Sequence, residues 1–141
     1  PLIVEGIRDL SSLNVKKAYP RIVSYKNHNN ASIKTEVLLG MIKLKGITEL
    51  YKFKNSKVYF DDWQQSNILF VIKNNRINRP EDLSILLESQ NKSIVLLAVR
   101  LINYFNHPDS YNALSQMYQS TTDQKLKKEI AIALNKTEQL K

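Results

Sequence analysis

The chain has 141 residues, of which 43% are hydrophobic and 24% charged, a balance that indicates a folded globular protein and excludes a disordered tail. Three glycines and four prolines exclude collagen-like and linker-like chains, and the lack of cysteine excludes a disulfide scaffold, a thiolate nucleophile and a Cys-ligated metal. Lysine and arginine outnumber aspartate and glutamate by 21 to 13, a formal net charge of +8. This excess suits a nucleic acid, an anionic membrane surface or an acidic protein as partner, although an Asn-, Lys- and Ile-rich composition alone can produce it.

Membrane insertion is not predicted for this stretch of chain. The longest uninterrupted apolar run covers residues 94–99, whereas a membrane-spanning helix needs about 20 apolar residues. The first residue is Pro1 rather than methionine, and the opening residues do not have the form of a signal peptide. We therefore expect a cytoplasmic, soluble part of a longer protein, with any membrane anchor outside this chain.

The first predicted elements are a short helix over residues 10–23, kinked or ended by Pro20, and a long helix over residues 31–45. In the long helix the apolar residues Ile33, Val37, Met41 and Leu44 recur at helical spacing. Ser32 is the predicted N-cap of this helix.

The same apolar spacing recurs further along the chain and predicts long helices near residues 62–74, 92–105 and 123–136. The matching positions begin at Ile33, Gln64, Ile94 and Leu126, so successive copies are 31, 30 and 32 residues apart. Shorter helical stretches precede the later copies, and residues 80 and 108 are prolines suited to a first helical turn. We interpret the spacing as an internal repeat of helix pairs, with no β-sheet.

Three of these segments resemble the second helix of HEAT repeats: NASIKTEVLLGMIKL (30–44), NKSIVLLAVRLINYF (91–105) and DQKLKKEIAIAL (123–134). The resemblance implies an all-α fold, an α-solenoid of about four HEAT-like helix pairs in a right-handed superhelix. The resemblance covers about residues 8–137, with repeat units at about 8–45, 46–77, 78–106 and 107–137. We expect these units to form a single domain, residues 1–141.

Two sequence segments show a more specific resemblance, to one group of HEAT-repeat proteins. DDWQQ (61–65) and LLESQNKSIVLLA (86–98) look like segments of membrane-anchored HEAT-repeat proteins of Bacteroidetes-type bacteria, in which a soluble repeat domain follows membrane segments. This likeness implies a bacterial protein whose anchor lies outside the chain.

Catalytic and metal-binding patterns are not found in the sequence. The adjacent carboxylates at 61–62 and 81–82 would point about 100° apart on a helix, which favours capping and turn roles over acid–base catalysis. Neither His28 nor His107 has a second ligand at metal-binding spacing, and no Gly-rich phosphate loop is present. We therefore predict no enzyme, no catalytic residue, no metal and no cofactor.

The predicted function is a protein-binding scaffold. In HEAT-type solenoids the second helices line the concave surface. The side of each long helix opposite its recurring apolar residues would then form a groove with apolar and cationic residues. The net charge favours an acidic protein partner. We expect Trp63, the one tryptophan, to pack in the core or between repeats. The predicted groove residues are Leu39, Ile42, Phe70, Lys73, Leu96, Arg100, Asn103 and Lys128.

Two alternatives stay open at this point. One is nucleic-acid binding on a basic concave face, as in the HEAT-like alkylpurine DNA glycosylases, although apolar residues interrupt the basic stripe and no carboxylate falls on it. The other is a membrane-proximal spacer held at an anionic leaflet by Lys16, Lys17, Arg21 and Lys26.

Overall fold

The computed structural model describes residues 2–12, 19–24 and 30–139, and over these ranges the protein is all-helical, with no β-strand. The all-α prediction is confirmed. The helices are α1 (Leu2–Ser12), α2 (Tyr19–Val23), α3 (Ala31–Lys45), a 3₁₀ helix (Ile47–Phe53), α4 (Asp62–Asn74), α5 (Ser84–Leu87), α6 (Lys92–Phe105), a second 3₁₀ helix (Pro108–Ser110), α7 (Tyr111–Ser120) and α8 (Gln124–Gln139).

The four predicted long helices correspond to α3, α4, α6 and α8, with bounds that differ from the prediction by at most three residues. Side-chain caps explain where they begin. The carboxylate of Asp61 accepts a hydrogen bond from the Gln64 backbone N–H in a capping box. The side-chain oxygen of Asn91 accepts one from the Ser93 backbone N–H. The N-cap of α3 is Asn30 rather than the predicted Ser32, because the Asn30 side chain accepts from the Ser32 and Ile33 backbone N–H groups.

Predictions for the shorter helices were less accurate. The helix predicted over residues 10–23 overlaps the end of α1, which begins at Leu2, and all of α2, while residues 13–18 lie outside the described residues. Pro20 lies in the first turn of α2, where its missing N–H removes no helical hydrogen bond. Pro80 does not begin a helix: Asp82 instead accepts a backbone hydrogen bond from Ser84 at 2.8 Å, and α5 starts there.

The chain divides into two compact units, Pro1–Arg79 and Pro80–Lys141. In the first unit α3 is the central helix, and α1, α2, the Ile47–Phe53 3₁₀ helix and α4 all pack against it. Gly46, with φ of 99°, ends α3 in a backbone conformation that favours glycine. The core of this unit therefore surrounds α3, and side chains fully or nearly fully buried in it are Ile7, Ile22, Val37, Leu38, Met41, Leu50, Phe53, Phe60, Ile68 and Ile72.

In the second unit α6 is the buried helix. It packs against α5 and α8, while α7 packs against α8. Residues 93–99, 101 and 102 of α6 are buried, so this helix is covered along most of its length. Asn106 ends α6 in the left-handed conformation that asparagine tolerates.

Candidate functional site on helix α4

The structure removes the α3 residues from the predicted groove. Leu39 is 6% exposed and Ile42 is fully buried. Four elements pack around α3, so they also cover the side of this helix that lies opposite its recurring apolar residues. The prediction that Leu39 and Ile42 face solvent was therefore wrong, and both residues belong to the core of the first unit.

The groove residues of the second unit are also mostly inaccessible. Leu96 is 6% exposed, because α6 is enclosed by its neighbours. Arg100 lies 3.3 Å from Glu129 of α8, and its side chain is only 16% exposed. Asn103 is half-buried. Lys128 alone among the four is exposed, on α8.

The last two groove residues, Phe70 and Lys73, are both exposed on α4. Trp63 on the same helix is 74% exposed and Phe70 is 63% exposed. The expectation that Trp63 packs in the core or between repeats was wrong. Since seven residues make about two helical turns, Trp63 and Phe70 project from the same side of α4. We call this side the α4 face; it consists of Trp63, Ser66, Phe70, Lys73 and Asn74.

The opposite side of α4 fixes this orientation. Gln65, Ile68 and Ile72 are buried, and they recur at the three- and four-residue spacing of one helix face. The Gln65 side chain donates a hydrogen bond of 2.9 Å to the Phe60 carbonyl oxygen and so holds the preceding segment against the helix. Because this buried side anchors α4, the aromatic side chains opposite it point to solvent.

Charged residues of opposite sign lie at the two ends of α4. Asp61 and Asp62 are exposed at the start of α4, while Lys73 and Arg76 are exposed at its end. This distribution follows the helix dipole, which favours carboxylates at the N-terminus and cations at the C-terminus. The α4 face therefore has an acidic end and a basic end, with aromatic side chains between them.

A polar cluster elsewhere in the first unit joins α2 to the Ile47–Phe53 3₁₀ helix. The Tyr19 hydroxyl donates to the Glu49 carboxylate at 2.6 Å, and Lys52 Nζ lies 2.7 Å from the same hydroxyl and 2.8 Å from Glu49. Partial burial and the hydrogen bond to Glu49 raise the pKa of Tyr19. The hydrogen bonds to Glu49 and then Tyr19 raise the pKa of Lys52. We interpret this cluster as a structural contact, because the three side chains bind one another through hydrogen bonds and an ion pair, and the acid, Glu49, is buried.

His107 is 1% exposed and both of its ring nitrogens are engaged. Nε2 lies 2.7 Å from the Glu81 carbonyl oxygen, and Nδ1 lies 3.0 Å from the Ser110 hydroxyl. A carbonyl oxygen only accepts hydrogen bonds, so Nε2 carries a proton and donates a hydrogen bond to the Glu81 carbonyl. This arrangement leaves neither nitrogen for a metal.

The described residues carry neither a metal-binding cluster nor a membrane-spanning helix. In those ranges no group of three or more histidine, aspartate or glutamate side chains could hold a metal ion. Among the helices described there, none combines the length and apolarity needed to cross a bilayer. His28, Lys16, Lys17 and Lys26 lie outside the described residues, and Arg21 is exposed on α2.

No protein-family model, curated protein or solved structure matches this chain. The α4 face is therefore interpreted from its own residues.

Proposed function

We propose that this protein is a non-catalytic module that binds another protein chain through the α4 face. The observation that carries this proposal is the pair of exposed aromatic side chains, Trp63 at 74% and Phe70 at 63%, two turns apart on one helix. Exposed aromatic groups that cluster in this way are typical of protein-binding surfaces, where tryptophan in particular contributes a large share of the affinity.

The contact surface in this proposal differs from the groove that the sequence predicted. Phe70 and Lys73 remain in it, and Trp63 joins them. The buried residues Leu39, Ile42 and Leu96 are excluded. Charges of both signs border the α4 face, so the net charge of the chain does not by itself select an acidic partner.

The HEAT-like solenoid also remains a proposal. Helices α3, α4, α6 and α8 begin at residues 31, 62, 92 and 124, and these steps match the repeat in the sequence. The regular steps support helix pairs as the repeating unit. A cytoplasmic location, with an anchor outside this chain, is proposed from the sequence likeness alone.

Nucleic-acid binding is a second candidate. The exposed aromatic rings of Tyr59, Trp63 and Phe70 could stack on bases, and the exposed cations Lys57 and Arg76 could contact phosphates. Two observations disfavour it. Asp61 and Asp62 lie beside the rings, and the predicted groove cation Arg100 is paired with Glu129.

The proposal can be tested by photo-cross-linking from the α4 face. A benzophenone amino acid at Asn74, which is exposed at one end of the face, should form an adduct with a protein partner in cells. The same cross-linker at Gln116, which is exposed on α7, is the matched control. The partner in the adduct is then purified, and Phe70→Ala should weaken its binding by about thirtyfold, the equivalent of about 2 kcal/mol. Equal or absent adducts from the two positions would overturn the proposal.

A further inference from the structure

We infer that the partner of the α4 face is a second copy of this chain, bound so that the two α4 helices run antiparallel. The inference rests on the proposed function and adds the identity of the partner and the orientation of the contact. It is carried by the way in which the aromatic and charged residues of α4 are arranged about the middle of the helix.

The aromatic residues are symmetric about this middle. The midpoint between Trp63 and Phe70 lies between Ser66 and Asn67. If a two-fold axis passes through this point, Trp63 of each copy packs against Phe70 of the other, as an isologous contact requires. Ser66, the small exposed residue at the centre, lets the two helices approach closely there.

The charged residues are symmetric about almost the same point. The midpoint between Asp62 and Lys73 lies between Asn67 and Ile68, one residue away, which is about 1.5 Å along the helix. Asp62 and Lys73 are eleven residues apart, or about three turns, so they lie on the same flank of α4. Both side chains are exposed.

An antiparallel two-fold pair places the same flank of each helix opposite its equivalent, with the ends reversed. Asp62 of one copy then faces Lys73 of the other, and the pair forms twice. A parallel two-fold pair would instead place this flank of the two helices on opposite sides of the contact, so neither Asp62 nor Lys73 would face an opposite charge of the other α4 helix. The charges therefore favour the antiparallel arrangement.

The net charge of +8 opposes self-association only weakly at physiological ionic strength, because charges more than about 8 Å apart are then largely screened. The two Asp62–Lys73 pairs at the contact are close enough for their attraction to outweigh this repulsion. Since one face of a 13-residue helix is a small interface, we expect a weak dimer with a dissociation constant on the order of 10–100 μM.

The first experiment measures association of the purified protein. Sedimentation velocity from about 1 μM to about 1 mM, in roughly 150 mM salt, should show a shift from monomer to dimer around the expected dissociation constant. Trp63 is the one tryptophan and is exposed in the monomer, so its emission should shift to shorter wavelength over the same concentrations. Phe70→Ala should abolish both changes, whereas the control Ile132→Ala, at a 52% exposed residue of the second unit, should leave them unchanged.

The second experiment tests the orientation by mixing two variants. Asp62→Lys alone places a lysine opposite Lys73, and Lys73→Glu alone places a glutamate opposite Asp62, so each variant should self-associate about tenfold more weakly. In an equimolar mixture, the lysine introduced in one variant faces the glutamate introduced in the other, and Asp62 of the second variant faces Lys73 of the first. Every pair is then attractive again. The mixture should therefore recover the association of the unsubstituted protein.

The outcomes separate this inference from the proposed function. A chain that stays monomeric to 1 mM, or a mixture that does not recover, overturns the antiparallel dimer. If the Asn74 cross-linker then yields an adduct with a different protein, the proposed protein-binding function stands without it. Melting temperatures of both charge variants must stay near that of the unsubstituted protein. If they fall, the neutral variants Asp62→Asn and Lys73→Gln replace them; each should weaken association about threefold, and no change would also overturn the inference.

Discussion

His107 and Glu81 are 26 residues apart in sequence, and a 2.7 Å hydrogen bond joins the His107 ring to the Glu81 carbonyl oxygen. The bond ties the segment before α5 to the start of the second 3₁₀ helix, within the second unit. The other ring nitrogen is hydrogen-bonded to the Ser110 hydroxyl, so the buried imidazole joins the segment before α5 to the second 3₁₀ helix.

Replacement of His107 by alanine should destabilise the protein by about 2–4 kcal/mol, because the change removes both hydrogen bonds and leaves a cavity around a carbonyl oxygen. Urea unfolding followed by circular dichroism measures this loss. Gln116→Ala, at an exposed position of α7, serves as control and should stay within about 0.5 kcal/mol. A loss below about 1 kcal/mol for His107→Ala would contradict the bridging role.

The Tyr19 cluster should make stability fall at high pH. The pKa of Tyr19 in the folded protein is raised above its ordinary value of 10.0, so folding favours the protonated phenol. The raised pKa of Lys52 acts in the same direction. Their contribution is complete below about pH 10 and is lost as the pH rises through the folded pKa values.

Tyr19→Phe tests this cluster, since it removes the hydroxyl that donates to Glu49. At pH 8 the variant should be less stable by about 0.5–1.5 kcal/mol. Between about pH 10 and pH 11 the difference from the unsubstituted protein should shrink, because the unsubstituted protein is then losing the same contribution. Tyr59→Phe, at a residue that is 60% exposed, is the control and should lower stability at neither pH. A difference that is constant with pH would show that the phenol proton does not stabilise the fold.

Periodicity identified the long helices accurately because their buried positions recur at a spacing that only a helix brings to one side. Ile68 and Ile72 of α4, and Ile94 and Ile102 of α6, are fully buried as the pattern predicted. Leu134 is only half-buried, so the pattern weakens in α8.

The same pattern could not show how many neighbours each helix has. A helix in a two-layer repeat keeps one side in solvent, and on this assumption Leu39 was placed in a groove. In the structure α3 is enclosed by four elements. Two of them, α1 and α2, contact α3 through tertiary packing that the spacing of residues within α3 cannot predict. Trp63 is different: it lies seven residues before Phe70, so helical spacing alone puts the two on one side of α4, and the prediction that Trp63 packs in the core or between repeats did not use this spacing.

Nucleic-acid binding should be weak and non-specific. We expect binding of a fluorescein-labelled single-stranded oligonucleotide at low salt, followed by fluorescence anisotropy, to disappear near roughly 150 mM salt, since only dispersed surface cations contribute. Arg100→Glu should have little effect, because Arg100 is paired with Glu129. Micromolar or tighter binding at about 150 mM salt that is lost in Trp63→Ala would instead favour nucleic acid as the partner of the α4 face.

Three phenylalanines of the first unit allow a matched comparison of core and surface. Phe53 is 1% exposed and Phe60 is fully buried, and their rings contact each other edge to face with centroids 6.3 Å apart. Phe70 is 63% exposed on the α4 face. All three can be changed to alanine, which removes the same atoms from three different environments.

Phe53→Ala and Phe60→Ala should each lower the free energy of unfolding by about 3–5 kcal/mol, because each change removes buried apolar contacts and leaves a cavity. Phe70→Ala should lower it by less than about 1 kcal/mol, because most of that ring already contacts water. Urea unfolding should be measured at a protein concentration of about 1 μM, at which the expected dimer is dissociated and self-association does not add to stability. A loss of about 3 kcal/mol or more for Phe70→Ala would assign this ring to the core and remove it from the α4 face. A small loss, together with weaker association at high concentration, would identify Phe70 as a residue that binds a partner without stabilising the fold.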